Sequence, residues 1–144
     1  MEFHTNSPAE TRALGARLAG VLKPGDIVGL DGPLGAGKTA FVQGMAEGLG
    51  IADAVVSPTF AILCVYRGDV PLVHMDAYRV RDIDDLESTG FFDYLDGGGI
   101  LAIEWSRHIA DTLPAGIIRV AIESRGDTAR FITIEGDGPC IHLP

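Results

Sequence analysis

Apolar residues recur along this chain with two alternating periods, and the alternation by itself predicts an order of elements. The first segment has a helical signature: Ser7 is an N-cap, Pro8 takes the first helical position, and Glu10 follows three residues after the cap. Leu14, Leu18, Val21 and Leu22 then line one face, and Lys23-Pro24-Gly25-Asp26 ends the helix. Ile27 to Leu30 is an apolar run too short for a helix and bounded by turn residues, which predicts a buried strand. A glycine-rich segment follows. After it, Phe41, Val42, Met45 and Leu49 return to helical spacing, with Gly48 and Gly50 as the stop.

The second half carries mostly strand patterns. Phe60 to Tyr66 and Val70 to Met75 are β-rich runs joined as a hairpin by Arg67-Gly68-Asp69. Asp82 to Leu95 has room for one or two short helices with Ile83, Leu86, Phe91 and Leu95 inward, before Gly97-Gly98-Gly99 breaks the pattern. Ile100 to Ile103 is another buried strand. Trp105, Ile109 and Leu113 share one face of a predicted short helix stopping at Pro114. Ile117 to Ile122 and Ala129 to Ile134 flank Arg125-Gly126-Asp127 as a closing hairpin. Together these elements predict an α/β fold, one domain over residues 1–144, with a mixed parallel and antiparallel sheet flanked by helices and a ligand site beyond the carboxyl ends of the strands.

The chemistry is concentrated in the glycine segment. Gly32-Pro33-Leu34-Gly35-Ala36-Gly37-Lys38-Thr39 matches the eight-residue phosphate-loop pattern and sits between a predicted strand and a predicted helix, the context that gives such a match its meaning. Its glycines let backbone N–H groups converge on a β-phosphate, and the helix N-terminus adds a favourable dipole. The Lys38 ammonium bridges β- and γ-oxygens, while the Thr39 hydroxyl suits magnesium. ATP with Mg2+ is the expected ligand.

A phosphate loop also needs an acid at the end of a neighbouring strand. Asp76, closing the run Val70 to Asp76, is the candidate for organising magnesium. His74, two residues earlier, points to the same side of the strand and is read as a hydrogen-bonded core residue. Glu104 ends the strand Ile100 to Ile103 in the same way, where a carboxylate can bind magnesium, directly or through water, or orient the attacking water. Trp105 is read as core packing. Ser57-Pro58-Thr59-Phe60 lies where switch segments of nucleotide hydrolases sit, which makes Thr59 a possible γ-phosphate sensor, although a plain Ser-Pro turn is the simpler account.

Bulk properties narrow the function. Of 144 residues, 47% are apolar and 22% charged, an ordinary globular composition. Twenty acids against eleven bases give a net charge of −9, the wrong sign for gripping nucleic-acid phosphates unaided. The apolar stretches are far shorter than the run of about 18 residues that a membrane span requires. No basic n-region precedes an apolar run at the N-terminus, so a cytoplasmic protein is expected. Cys64 and Cys140 have no metal-ligand spacing around them and are read as inert thiols.

Taken in order, the motifs resemble one family. Leu34-Gly35-Ala36-Gly37-Lys38-Thr39, Ser57-Pro58-Thr59-Phe60, His74-Met75-Asp76-Ala77-Tyr78-Arg79, Leu86-Glu87 with Gly90, and Glu104-Trp105 are similar in type and spacing to the TsaE (formerly YjeE) family. The Leu14-Gly15 helix and the last hairpin extend the likeness over nearly the whole chain. The resemblance implies an intracellular Mg-ATP hydrolase that works with the TsaB and TsaD proteins, which transfer a threonylcarbamoyl group to adenosine 37 of tRNAs reading codons that begin with A. The ATPase itself is not the transferase. Carried over by position, Gly35, Ala36, Gly37, Lys38, Thr39 and Ala40 match the family's phosphate contacts, Thr39 and Glu104 its magnesium ligands, and Asp76 the acid needed for hydrolysis. Arg130 also matches a family position. The sequence departs from the family pattern at Ser106-Arg107-His108. The competing expectation from another class is a small-molecule or nucleoside kinase, which would use the same loop beneath an arginine-bearing lid, with Arg79, Arg81, Arg107, Arg125 and Arg130 as candidates.

Overall fold

In the computed structural model, which describes residues 1–56, 63–136 and 143, one mixed sheet organises the chain. Its strands are β1 (Glu2–Thr5), β2 (Ile27–Asp31), β3 (Leu63–Tyr66), β4 (Leu72–Asp76), β5 (Ile100–Glu104), β6 (Ile118–Ser124) and β7 (Arg130–Gly136). The spatial order is β1-β7-β6-β2-β5-β4-β3. Strands β6, β2, β5 and β4 are mutually parallel, while β3 pairs antiparallel with β4, β7 with β6, and β1 with β7. The expected hairpins therefore form the two flanks of a parallel centre. The inner strands β2, β5 and β4 are buried at nearly every position, as expected for strands covered on both faces.

Side-chain alternation divides the sheet into two cores. On one face lie α1 (Pro8–Ala19) and α2 (Lys38–Gly48), packed over Val28, Leu30, Leu72, Ile100, Ala102, Val120 and Ile132. On the other lie α3 (Ile83–Ser88), α4 (Phe91–Tyr94) and a 3-10 helix (Ser106–Thr112), over Ile27, Val73, Met75, Leu101 and Ile103. The α1–α2 contact is close enough that a Cβ at Gly44 would collide with the carbonyl of Arg12. Ser7 caps α1 by accepting from the amide of Glu10, and the Glu10 carboxylate in turn accepts from the amide of Asn6, the residue before the cap.

Several expectations are corrected. The first helix stops at Ala19, so Val21 leaves its face and is 36% exposed. Ile83 is 59% exposed rather than inward, whereas Leu86 and Phe91 are buried as expected. Trp105, Ile109 and Leu113 do not share a helix face: Trp105 precedes the 3-10 helix in a left-handed conformation (φ 59°), Ile109 kinks it, and Leu113 lies past its end. Strand β1 has no counterpart in the sequence reading, because four residues alternating weakly between polar and apolar carry little signal until β7 pairs with them. The stretch 57–62, with Thr59, and Cys140 lie outside the described residues.

Candidate active site

The phosphate-loop residues run directly from the carboxyl end of β2 into α2. Gly37 stands at the helix N-cap with φ 106°, a left-handed conformation that glycine adopts without a Cβ clash. The first-turn amides of Lys38, Thr39 and Ala40 have no acceptor within the helix, which leaves them as donors at its positive end. Gly35 is exposed, Ala36 buried, and Thr39 and Ala40 half-buried.

Lys38 is 5% exposed, and its Nζ donates to the carbonyls of Gly32 at 2.6 Å and Pro33 at 2.9 Å. The same Nζ lies 4.4 Å from the centre of the Trp105 ring. Burial holds the Lys38 pKa below its ordinary value, opposed by the negative charges of Glu104, Asp76 and Asp31.

Those three acids end three adjacent parallel strands. Asp31 closes β2, Asp76 closes β4 and Glu104 closes β5, with Asp76 opposite Glu104 and Glu104 opposite Leu30 in the register. The structure thus brings the expected Lys38, Asp76 and Glu104 to one end of the sheet beside Thr39 of the loop helix. Asp76 and Glu104 share the sheet face that carries α2. The Asp76 carboxylate accepts from the Tyr78 amide at 2.9 Å. Burial raises the Asp76 pKa, with the Tyr78 hydrogen bond acting the other way and Glu104 adding to the rise. Glu104 is 4% exposed, and its Oε2 lies 2.6 Å from Nε2 of the fully buried His74. His74 is the hydrogen-bonded core residue expected, but its partner is a site carboxylate.

Two contributors were not assigned a role from sequence. Asp31 accepts from the Ser106 hydroxyl and from the Arg107 amide, tying the end of β2 to the segment after Glu104. Together with the Trp105 amide donating to the Leu30 carbonyl at 2.8 Å, these bonds offset the cost, about 1–2 kcal/mol, of a left-handed tryptophan. The rule that selected Asp76 and Glu104, an acid ending an apolar strand, applies equally to Asp31. The second contributor is Arg130 at the start of β7. Its Nε donates to the Ala36 carbonyl at 2.8 Å and its Nη2 to the Gly35 carbonyl at 3.3 Å, while Nη1 donates to Ala129 and Gly126 carbonyls. The guanidinium therefore clamps the glycine loop to the β6–β7 turn. No local spacing signals this contact across more than ninety residues.

Among the described residues no cluster of three or more His, Cys, Asp and Glu side chains forms a closed metal cage. The Asp76 and Glu104 carboxylates and the Thr39 hydroxyl are hard oxygen donors, the ligand type that suits Mg2+. No helix among the described residues is long and apolar enough to cross a membrane.

A family model described as "Threonylcarbamoyl adenosine biosynthesis protein TsaE" matches residues 5–132. A protein of Bacillus subtilis named tRNA threonylcarbamoyladenosine biosynthesis protein TsaE is 42% identical, covering 96% of this chain and 87% of the relative. Proteins of the same name from Treponema pallidum and Streptomyces coelicolor are 38% and 42% identical, over 93% and 88% of this chain and 99% and 90% of their own. The crystal structure of YdiB from Bacillus subtilis superposes with a TM-score of 0.81 at 39% identity, covering 96% of this chain and 86% of that one. A phosphate-loop α/β fold with this order of motifs, matched over nearly its whole length, places the chain in the TsaE family.

Proposed function

We propose that this chain binds Mg-ATP at the Gly32 to Thr39 loop and hydrolyses it in support of threonylcarbamoyl modification of adenosine 37 in tRNAs that read codons beginning with A. The observation that carries the reading is a buried lysine on a phosphate loop, beside acids that end three adjacent parallel strands. In this reading the Lys38 ammonium exchanges the Gly32 and Pro33 carbonyls for phosphate oxygens. The loop and first-turn amides from Gly35 to Ala40 cradle the phosphates, and water attacks the γ-phosphorus in line with the leaving β-phosphate oxygen. Thr39, Asp76 and Glu104 would hold Mg2+, which would supply charge neutralisation for the phosphates. A carboxylate of the Asp76 and Glu104 pair orients the attacking water.

The partners in this reading are the TsaB and TsaD proteins, which perform the transfer; tRNA is met through them. The family names of the relatives support the pathway, and the net charge of −9 fits a subunit that leaves tRNA to others. Of the lid candidates of the kinase alternative, Arg81 pairs with Asp85, Arg125 with Glu123, and Arg130 is engaged by loop carbonyls. The test is phosphate release from Mg-ATP by the full chain, alone and with TsaB, TsaD and tRNA, with modified adenosine followed in parallel. Hydrolysis is expected to be slow alone, faster with the partners, and lost in Lys38→Ala and Asp76→Ala. Equal turnover with and without partners, or phosphate appearing on an added acceptor, refutes the reading.

A further inference from the structure

We propose that His74 is a positioning residue that fixes the rotamer of Glu104 and so determines which carboxylate oxygen faces the phosphate loop; this rests on the ATPase reading above. On β4, Leu72, His74 and Asp76 share the sheet face that carries α2, as Ile100, Ala102 and Glu104 do on the neighbouring β5. His74 stands opposite Ala102, whose methyl leaves space above the sheet, and Glu104 is the diagonal neighbour two residues on. The imidazole fills that space with no solvent exposure and places Nε2 2.6 Å from Glu104 Oε2.

The proton has a defined place. A carboxylate oxygen accepts, so Nε2 carries hydrogen. Nδ1 is buried with no hydrogen-bond partner among the described residues, and a buried lone pair is better tolerated there than a buried unpaired N–H. Nε2–H therefore donates to Oε2, and Oε1 is not used by this bond. A glutamate at a strand end can rotate about three side-chain torsions. Tethering one oxygen from inside the core removes that freedom and presents the other at the end of the sheet where Lys38 and Asp76 lie. The same imidazole, packed beneath the strand ends, keeps water from solvating Glu104 from below.

The test uses the full chain with His74→Gln, His74→Asn and His74→Leu, and Glu104→Gln alone and combined with His74→Leu. Glutamine places its amide near the position of the imidazole Nε2, whereas asparagine places its amide near Nδ1 and cannot reach Glu104. His74→Leu is expected to lower kcat about 10–100-fold, as loss of an outer-shell partner does. His74→Gln restores most of kcat, His74→Asn does not, and adding His74→Leu to Glu104→Gln lowers kcat no further. In the nucleotide-free chain, imidazole nitrogen NMR is expected to show the Nε2–H tautomer with a proton protected from exchange, moved by Glu104→Gln. An Nδ1–H tautomer, unchanged kcat in a folded His74→Leu, or equal losses in the Gln and Asn variants overturns the proposal. If the wild-type chain binds but does not hydrolyse ATP, the ATPase reading falls. His74 is then judged by calorimetry: a magnesium-dependent gain in ATP affinity lost with Leu and kept with Gln sustains it, and an equal gain in both refutes it.

Discussion

At the scale of single residues, this site places charges where solvation is poor. Asp76 is half-buried beside Glu104, and its pKa is raised by burial first and by that neighbour as well. For an acid with a raised folded-state pKa, the penalty is absent while the group is protonated in both states. It grows as pH climbs from about 4, where the unfolded chain ionises, to the higher folded value. Asp76→Asn should therefore raise the melting temperature of the nucleotide-free chain at neutral pH, with the advantage shrinking towards pH 4, while abolishing hydrolysis. A pH-independent difference in melting temperature would contradict this origin. Arg130 acts through geometry. Its removal in Arg130→Met frees the Gly35 and Ala36 carbonyls, and ATP affinity should fall about tenfold, the effect of losing roughly 1.5 kcal/mol of charge-assisted hydrogen bonding. Calorimetry with Mg-ATP measures this, and an unchanged affinity would show that the loop holds its shape without the clamp.

The elements succeed or fail as sequence signals according to how locally they are determined. α1 was legible because its cap Ser7, its proline and the glutamate at N3 lie within four residues. α2 was legible from its spacing and the loop before it, although its seat against α1 depends on Gly44, where a side chain would meet the Arg12 carbonyl. Gly44→Val should cost about 3 kcal/mol or more and lower the melting temperature by roughly 10 °C, as overpacking against backbone does. A thermal melt indistinguishable from wild type would mean the helices separate at little cost. The segment after β5 misled because Trp105, Ile109 and Leu113 have i, i+4, i+8 spacing. The actual path is set by Asp31, seventy-five residues away, which fixes Ser106 and Arg107 and lets Trp105 turn left-handed.

For the whole molecule, the surface charge and the site point in different directions. A chain of net charge −9 carries a loop suited to a polyanion, where the first-turn amides and Lys38 supply local positive charge. The isolated chain should show no measurable tRNA affinity at physiological salt by gel shift or filter binding. Salt-sensitive binding to tRNA alone would require a basic surface and would recast its role in the pathway.

Local spacing determined the phosphate loop, the helices around it, the acids ending two strands, and the family resemblance, because each is written within a few residues of backbone. The possible switch Thr59 lies outside the described residues, so its role rests on sequence alone. Only the tertiary structure decided the strand order that sets Asp31, Asp76 and Glu104 side by side, the docking of His74 on Glu104, the pairing of β1 with β7, and the reach of Arg130 to the loop. Each of these joins residues far apart in the chain. Such contacts form when buried faces of separate elements pack, and no periodicity along one segment records which partner another segment will bring.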